Sequence, residues 1–379
     1  MSKNIAKANE LISQLLKERA GYTKDITGRI TKIYTGNNDK RPKPGFFRES
    51  SYLYIRSYNG DVGVRPFSGI TFWNSPDINI SPINNIGAYT TQLEGGKSYN
   101  IQCRLHNRGD LMIPYPKVEF FLTDPTLGFN TSVAKYLGVT QLQALLLPAS
   151  NNQASFLYNV PAAEAGHKCM FARTWSFSPL DKPFDLFTLD PRIDRHVAQK
   201  NLNFVPQAVP YMFNLVHQPN TIETIAFQPL SKDAVLALQH PGVHDLKITT
   251  ITNKELLMQT KIELAAKPAG RFTMEPANGQ WQIKSAGKRG FDLNKQAAIM
   301  KEMEAVIQSV NSGRSHFSEH KKILAAFEEM NRNVEQTALR ITIPDFGLKK
   351  GTAAGFDIIN VNQVNGQIKG GITLVVMGG

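Results

Sequence analysis

The sequence predicts a mainly β protein built as two β-sandwiches, with a helix ahead of the first and a helical hairpin inserted in the second. Three observations predict it. The stretch Tyr99–Asp110, YNIQCRLHNRGD, alternates Ile101, Cys103 and Leu105 with Gln102 and Arg104, the period of a half-buried strand; Asn107, Arg108 and Gly109 then supply a turn. Runs of the same kind recur between Ser51 and Val205 and again beyond Tyr211, at intervals that suit an all-β fold. Between Asn294 and Gln336 the apolar period becomes that of an amphipathic helix and afterwards changes back.

Taken in order, Ser2 caps a first helix whose apolar face is Ile5, Ala8, Leu11, Ile12, Leu15 and Leu16, and Gly21 ends it. Such a helix either packs on its own domain or docks on a neighbouring subunit. Ile26–Tyr34 is strand-like, and the polar GNNDKRPKPG after it is a loop or linker, so residues 1–49 form an arm. Strands of the first domain (50–207) are expected in residues 51–63, 68–80, 99–107, 117–125, 154–161, 167–176 and 196–205. Thr131–Leu145, with Val133, Leu137 and Leu142, reads as a short helix crossing between sheets.

The Pro-punctuated NFVPQAVPYMF marks the join to a second domain, 208–379. Its strand-like runs are Tyr211–His217, Thr221–Phe227, Ala234–Leu238, Leu246–Ile251, Leu256–Ala265, Gly270–Pro276 and Gln280–Ser285. The hairpin occupies residues 293–336. Asn294–Val310 puts Ile299, Met303, Val306 and Val310 on one face; Ser315–Gln336 does the same with Phe317, Leu324, Phe327, Met330 and Val334. Strands resume at Thr337–Ile343 and Gly355–Val361 and end in GGITLVVMGG.

A chain of 379 residues has room for two or three domains with real cores. No apolar run approaches the ~18–20 residues that span a bilayer. The first residues have no h-region or cleavage site, so the protein is expected to be cytoplasmic or exported by a signal-independent route. The net charge of +12 is uneven: residues 1–50 carry 11 basic against 5 acidic side chains, and residues 280–350 carry 12 against 8. That balance favours acidic surfaces as partners for the basic arm. Nucleic acid is not favoured, since no basic stripe is interleaved with stacking aromatics. Cys103 and Cys169 both sit in strand-like runs; they are either small buried hydrophobes or a disulfide pinning the two sheets of a sandwich together.

The ordered blocks YIRSYNGDVG, FWNSPDINI, YNIQCRLHNRGD, HKCMFARTWS and DRHVAQKNLNFV resemble the cell-adhesion-related bacterial domain (CARDB) and its immunoglobulin-like relatives over residues 50–205. A strand ending in Asn-Arg-Gly and a closing "AQ-N" strand recur in that group. The C-terminal GFDIINVNQVNGQIKGGITLVV resembles the last two strands of bacterial sandwich modules found beside such domains. The resemblance implies an immunoglobulin-like sandwich that serves as an accessory module in bacterial extracellular or surface proteins, and it brings no catalytic residue with it. The fold expected is therefore two immunoglobulin-like β-sandwiches with the N-terminal helix and the hairpin insert.

His316-Phe-Ser-Glu-His320 matches H-x-x-E-H, in which two histidines on one helical face hold zinc and the glutamate activates water. A third ligand has to come from elsewhere, and structural histidines are the expected outcome, with no metal and no cofactor. His240 and His244 flank a Pro-Gly turn, which reads as surface. Gly95-Gly-Lys-Ser98 ends like a phosphate-binding loop, but Thr91 stands where its first glycine belongs and a strand follows. Ser132-Val-Ala-Lys135 matches S-x-x-K without its companion motifs. Phe72, Trp73 and Trp175 are expected in the first core.

The functional expectation is a non-catalytic bacterial structural protein working through protein–protein binding or self-assembly, with Ile5, Leu11, Ile12, Leu15 and Leu16 as contact residues. The alternative is a surface or secreted adhesion module binding glycan or protein ligands. A zinc peptidase using His316 and His320 comes third.

Overall fold

The structure, a computed structural model, describes residues 50–67, 71–185, 187–266, 271–277, 280–286, 291–311, 314–315, 317–362 and 367–379. The arm, residues 1–49, and with it the expected first helix, lies outside the described residues.

The first strands are β1 (Leu53–Tyr54), β2 (Ile78–Pro82), β3 (Gln92–Leu93), β4 (Ser98–Asn107), β5 (Lys117–Thr123) and β6 (Thr126–Leu127). They are followed by β7 (Lys135–Gln141), β8 (Ser150–Asn159), β9 (Gly166–His167), β10 (Cys169–Trp175) and β11 (Val197–Lys200). The stretch that announced the fold, now β4, is the spine of one sheet: β1 and β2 share one of its edges and β8 runs along the whole of the other. The facing sheet has the order β11-β10-β5-β7. Ile101, Cys103 and Leu105 point inward, where they join Phe120, Leu122, Met170 and Ala172 in one core. Asn107 closes the turn as its residue type suggests: its Oδ1 accepts from the N–H groups of Tyr52 (3.2 Å) and Gly109 (2.9 Å). Gly109 has no room for a Cβ, because the Ser51 backbone lies 2.8 Å from where it would sit.

The segment expected as a crossing helix, Thr131–Leu145, contains strand β7 instead, antiparallel to β5 with Val118↔Thr140 and Phe121↔Tyr136. Tyr136, Val139 and Thr140 favour an extended backbone, and the open edge of β5 offers hydrogen bonds that a short helix would forgo. Gly138, at φ 153°, leaves room for the Phe156 ring.

The second half adds β12 (Leu202–Pro206), β13 (Pro210–His217), β14 (Ile222–Pro229), α1 (Lys232–Leu236), β15 (Lys247–Ile248), α2 (Asn253–Gln259) and β16 (Ile262–Leu264). Then come β17 (Arg271–Ala277), β18 (Gln280–Ala286), α3 (Leu293–Asn311), α4 (Lys321–Arg332), β19 (Glu335–Thr342), β20 (Thr352–Asn362) and β21 (Gln367–Met377). A seven-stranded sheet, β12-β21-β20-β14-β18-β17 with β15 also on β20, faces a four-stranded one, β16-β19-β13-β6. Phe213, Leu215, Ile225, Leu339, Ile341, Phe356, Ile358 and Leu374 fill the space between them.

One expected strand, and the first part of Leu256–Ala265, are helical, while Ile262–Leu264 of the latter is strand β16. Ala234–Leu238 falls largely in α1, whose cap Ser231 accepts from the Ala234 N–H at 3.1 Å. Leu256 lies in α2, opened by a capping box in which Thr252 and Glu255 satisfy one another's backbone N–H. Ser315–Gln336 is not one helix. A 3-10 turn at Phe317–Glu319 precedes α4, and Glu335 already belongs to β19. The hairpin's apolar side is used internally: Ile299, Met303, Ile307, Phe327 and Met330 pack with Phe184 and Ile193, which belong to the first half.

The two halves are fused rather than strung on a linker. HVAQKNLNFV, expected as one strand of the first sandwich, divides at Asn201. Residues before it pair with β10; Leu202–Pro206 instead run parallel to β21, so the second sheet begins ahead of the expected boundary at residue 207. Asn201 makes the changeover possible. Its Nδ2 donates to the carbonyls of Thr126 (3.0 Å) and Gly371 (2.8 Å), its N–H to Trp73 O (2.8 Å), and its own carbonyl accepts from Thr373 N–H (3.0 Å). Phe72 and Trp73, expected in the first core, pack instead with Ile359 of β20. Trp73 Nε1 donates to Thr373 Oγ1 at 3.0 Å, and the indole lies on β21 where a Cβ at Gly371 would collide with it.

Candidate interaction site

An apolar surface open to a partner is built by two loops at one end of the first sandwich. Ile113 and Leu146 exchange both backbone hydrogen bonds, each at 2.9 Å, and both side chains are buried in the first core. In such a pair the neighbouring residues point the other way. Met112, Leu145 and Leu147 therefore stand on the outward side, 46%, 41% and 53% exposed, and Tyr115 is 46% exposed beside them. Pro114 has no N–H with which to extend the ladder, and Tyr115 turns the chain at φ 45°. Four large apolar side chains on one short backbone crossing are more than the scatter usual on a wet surface.

Ser50, where the described chain begins, adjoins this face. Its carbonyl accepts from the N–H groups of Asp110 (3.0 Å) and Leu111 (3.1 Å), and its own N–H donates to Asp110 Oδ1 at 2.9 Å. The arm residues Ile5, Leu11, Ile12, Leu15 and Leu16 lie outside the described residues.

The disulfide reading is corrected. Cys103 and Cys169 are both free and buried. Along β10, Met170 and Ala172 enter the first core, whereas Cys169 and Phe171 point to the opposite face of the sheet. Cys103 faces the first core, so a whole sheet separates the two thiols. Burial pushes both thiols well above their ordinary range, which leaves them protonated and unreactive.

Of the zinc motif, His316 lies outside the described residues; Phe317–Glu319 form a 3-10 turn, and His320 stands before α4 with its Nε2 2.8 Å from Ser315 Oγ. Among the described residues no group of three or more His, Cys, Asp or Glu is placed to hold a metal ion. His240 accepts the Gly242 N–H on Nδ1 (3.0 Å) and lies on the Phe204 ring; burial, with help from Lys200, pushes it down to about 4, and it serves as the cap of a turn. Gly95–Ser98 is the turn into β4, packed on the Ala162 backbone. Lys135 of the S-x-x-K match pairs with Glu164.

A cleft of about 70 Å³ opens where both halves meet the hairpin, lined among others by Phe129, Asp190, Arg192, His217, Gln296 and Asn331. Its charges are matched within the protein, Arg192 with Asp190 and Lys369 with Glu223. His217 is engaged at both ring nitrogens, Nδ1 with Gln218 O (3.2 Å) and Nε2 with Thr337 Oγ1 (3.1 Å). Burial pushes it down to about 4, so it is neutral and has no lone pair left over for a base. Asp194 and His196 form a second pair, 2.7 Å apart, and His196 is only 2% exposed.

Several important residues were missed from sequence. Asp357 is wholly buried at the junction, accepts from Thr373 Oγ1 at 2.5 Å and is pushed up to about 7 by burial. The paired glycines 370 and 371 inside an apolar run were the signal for a close approach there, since a Cβ at 370 would lie 2.7 Å from the Gly128 nitrogen.

No family model and no curated protein matches this sequence. Among solved structures it is similar to the CARDB domain of the PF1109 protein from Pyrococcus furiosus, at 12% identity over 38% of this chain and 95% of that one, with a TM-score of 0.22. It is similar also to the C-terminal domain of the Streptococcus pyogenes antigen I/II-family protein AspA, at 6% identity over 79% of this chain and 98% of that one, TM-score 0.18. The CupB6 tip adhesin from Pseudomonas aeruginosa matches at 8% identity over 86% of this chain and 97% of that one, TM-score 0.16.

Proposed function

We propose that this chain is a non-catalytic structural protein that works by binding protein surfaces, those of its own copies first. The observation that carries the reading is the outward apolar face of Met112, Tyr115, Leu145 and Leu147. Apolar area that stays wet in the monomer favours association once a partner covers it, at roughly 25 cal/mol per Å² removed from water. The fused junction supports the same reading, because a body with fixed geometry holds its binding faces at fixed angles. The test is the mass of the full chain by light scattering over a range of concentrations. A mass above the 42.2 kDa of one chain is expected, and a monomer at every concentration would sink the proposal.

A second reading, adhesion to a glycan or protein ligand, has its own support. The outer face of β2, β4 and β8 brings together Asn79, Asn100, Gln102, Gln153 and Ser155, a row of hydrogen-bonding side chains with Arg104 opposite Gln153. Binding to a polysaccharide panel that disappears in Gln102→Ala/Gln153→Ala would favour it.

A further inference from the structure

We infer that the apolar face at Met112, Tyr115, Leu145 and Leu147 is the receptor for the N-terminal segment, residues 1–21, of a second copy of this chain. The inference rests on the assembly reading and names its contact. The described chain starts at Ser50, whose carbonyl is bonded to Leu111 N–H, one residue from Met112. The root of the arm and the receptor therefore lie side by side. A pair of copies that bring these ends together around a two-fold axis can exchange arms reciprocally, each making the contact the other makes.

The chemistry of the two surfaces agrees. The segment repeats Ile5, Leu11, Ile12, Leu15 and Leu16 at helical spacing, a stripe of aliphatic side chains with nothing polar between them on that face. The receptor offers aliphatic and aromatic side chains, 41–53% exposed. A helix seated by residues at i, i+3, i+4 and i+7 is a usual way of covering such a face. The stretch between segment and root includes Lys40-Arg-Pro-Lys-Pro44, whose two prolines and three like charges favour an extended backbone. The 28 residues from 22 to 49 are long enough for the segment to reach a neighbouring copy.

Cross-linking separates the occupants. The native thiols are buried, so cysteines introduced as Leu15→Cys in one preparation and Leu147→Cys in another are the reactive ones when the two full-length proteins are mixed and oxidised. The expected product is a cross-linked pair of twice the chain mass, formed only in the mixture. A protein carrying both substitutions that yields only internally linked single chains would overturn the second copy as occupant. An oligomer that gives no cross-link and keeps its mass in Leu11→Glu/Leu15→Glu would overturn this contact while leaving assembly itself standing. A monomeric full chain would overturn both. Leu147→Glu, at an exposed position that the fold does not need, should reduce the oligomer to monomer with an unchanged circular dichroism spectrum.

Discussion

The two sheets of the first sandwich face one core and differ in what lies behind them. Behind β4 there is water, and its burial alternates residue by residue. Behind β10 lie the Phe129 loop and Leu189, and all seven of its residues are buried. One sheet meets water; the other is covered by loops of the chain. The difference shows in the chemistry. The outer side of β4 carries solvated Gln102 and Arg104, whereas the corresponding side of β10 encloses the ion pair of Arg173 Nε with Glu119 Oε2, at 2.8 Å with both side chains 1% exposed.

Breaking that pair is the hardest test of the contrast. Glu119→Ala takes the carboxylate from the buried Arg173 and should cost about 3–5 kcal/mol, whereas Gln102→Ala should stay within about 0.5 kcal/mol. Urea titrations of the two variants that gave equal losses would contradict the two-sided burial of this sheet. Trp73→Ala removes the side chain that joins the halves and should cost about 3–5 kcal/mol, and it should also split one thermal transition into two if the junction is what couples them. Asn201→Ala leaves the carbonyls of Thr126 and Gly371 without their donor, for about 1–3 kcal/mol.

The gentlest test is a titration. Because Asp357 is held at about 7 in the fold against an ordinary 3.8, the folded state binds the extra proton; its contribution is full below 3.8 and is lost as pH rises towards about 7. Asp357→Asn mimics the protonated form. Its melting temperature should equal that of the parent near pH 4 and exceed it at pH 8, and curves that run parallel across this range would remove Asp357 from the account.

The sheet that meets water was legible in the sequence because alternation is a local signal. The covered sheet read as apolar runs, which cannot say what covers them. The division at Asn201 was hidden for a plain reason: Leu202 pairs with Thr373, far away in sequence, and nothing in KNLNF distinguishes a strand that changes sheets from one that does not. The helices α1 and α2 were within reach, since Ser231 and the Thr252–Glu255 box are local signals that apolar content obscured. The receptor face was not. Met112, Leu145 and Leu147 have the composition of a core, and only the Ile113–Leu146 bridge turns them outward.

The pairing of β12 with β21 also sets a timetable. Leu202 waits for Thr373, 171 positions later, and at about 5–20 residues per second a ribosome needs roughly 10–35 s to deliver it. For that interval β12 of the nascent chain lacks the strand it pairs with, and its edge is open to whatever else the cell contains. Early escorts for this protein should therefore be sought on ribosome-bound chains longer than about 200 residues and shorter than about 370, where Leu202–Pro206 has no partner strand.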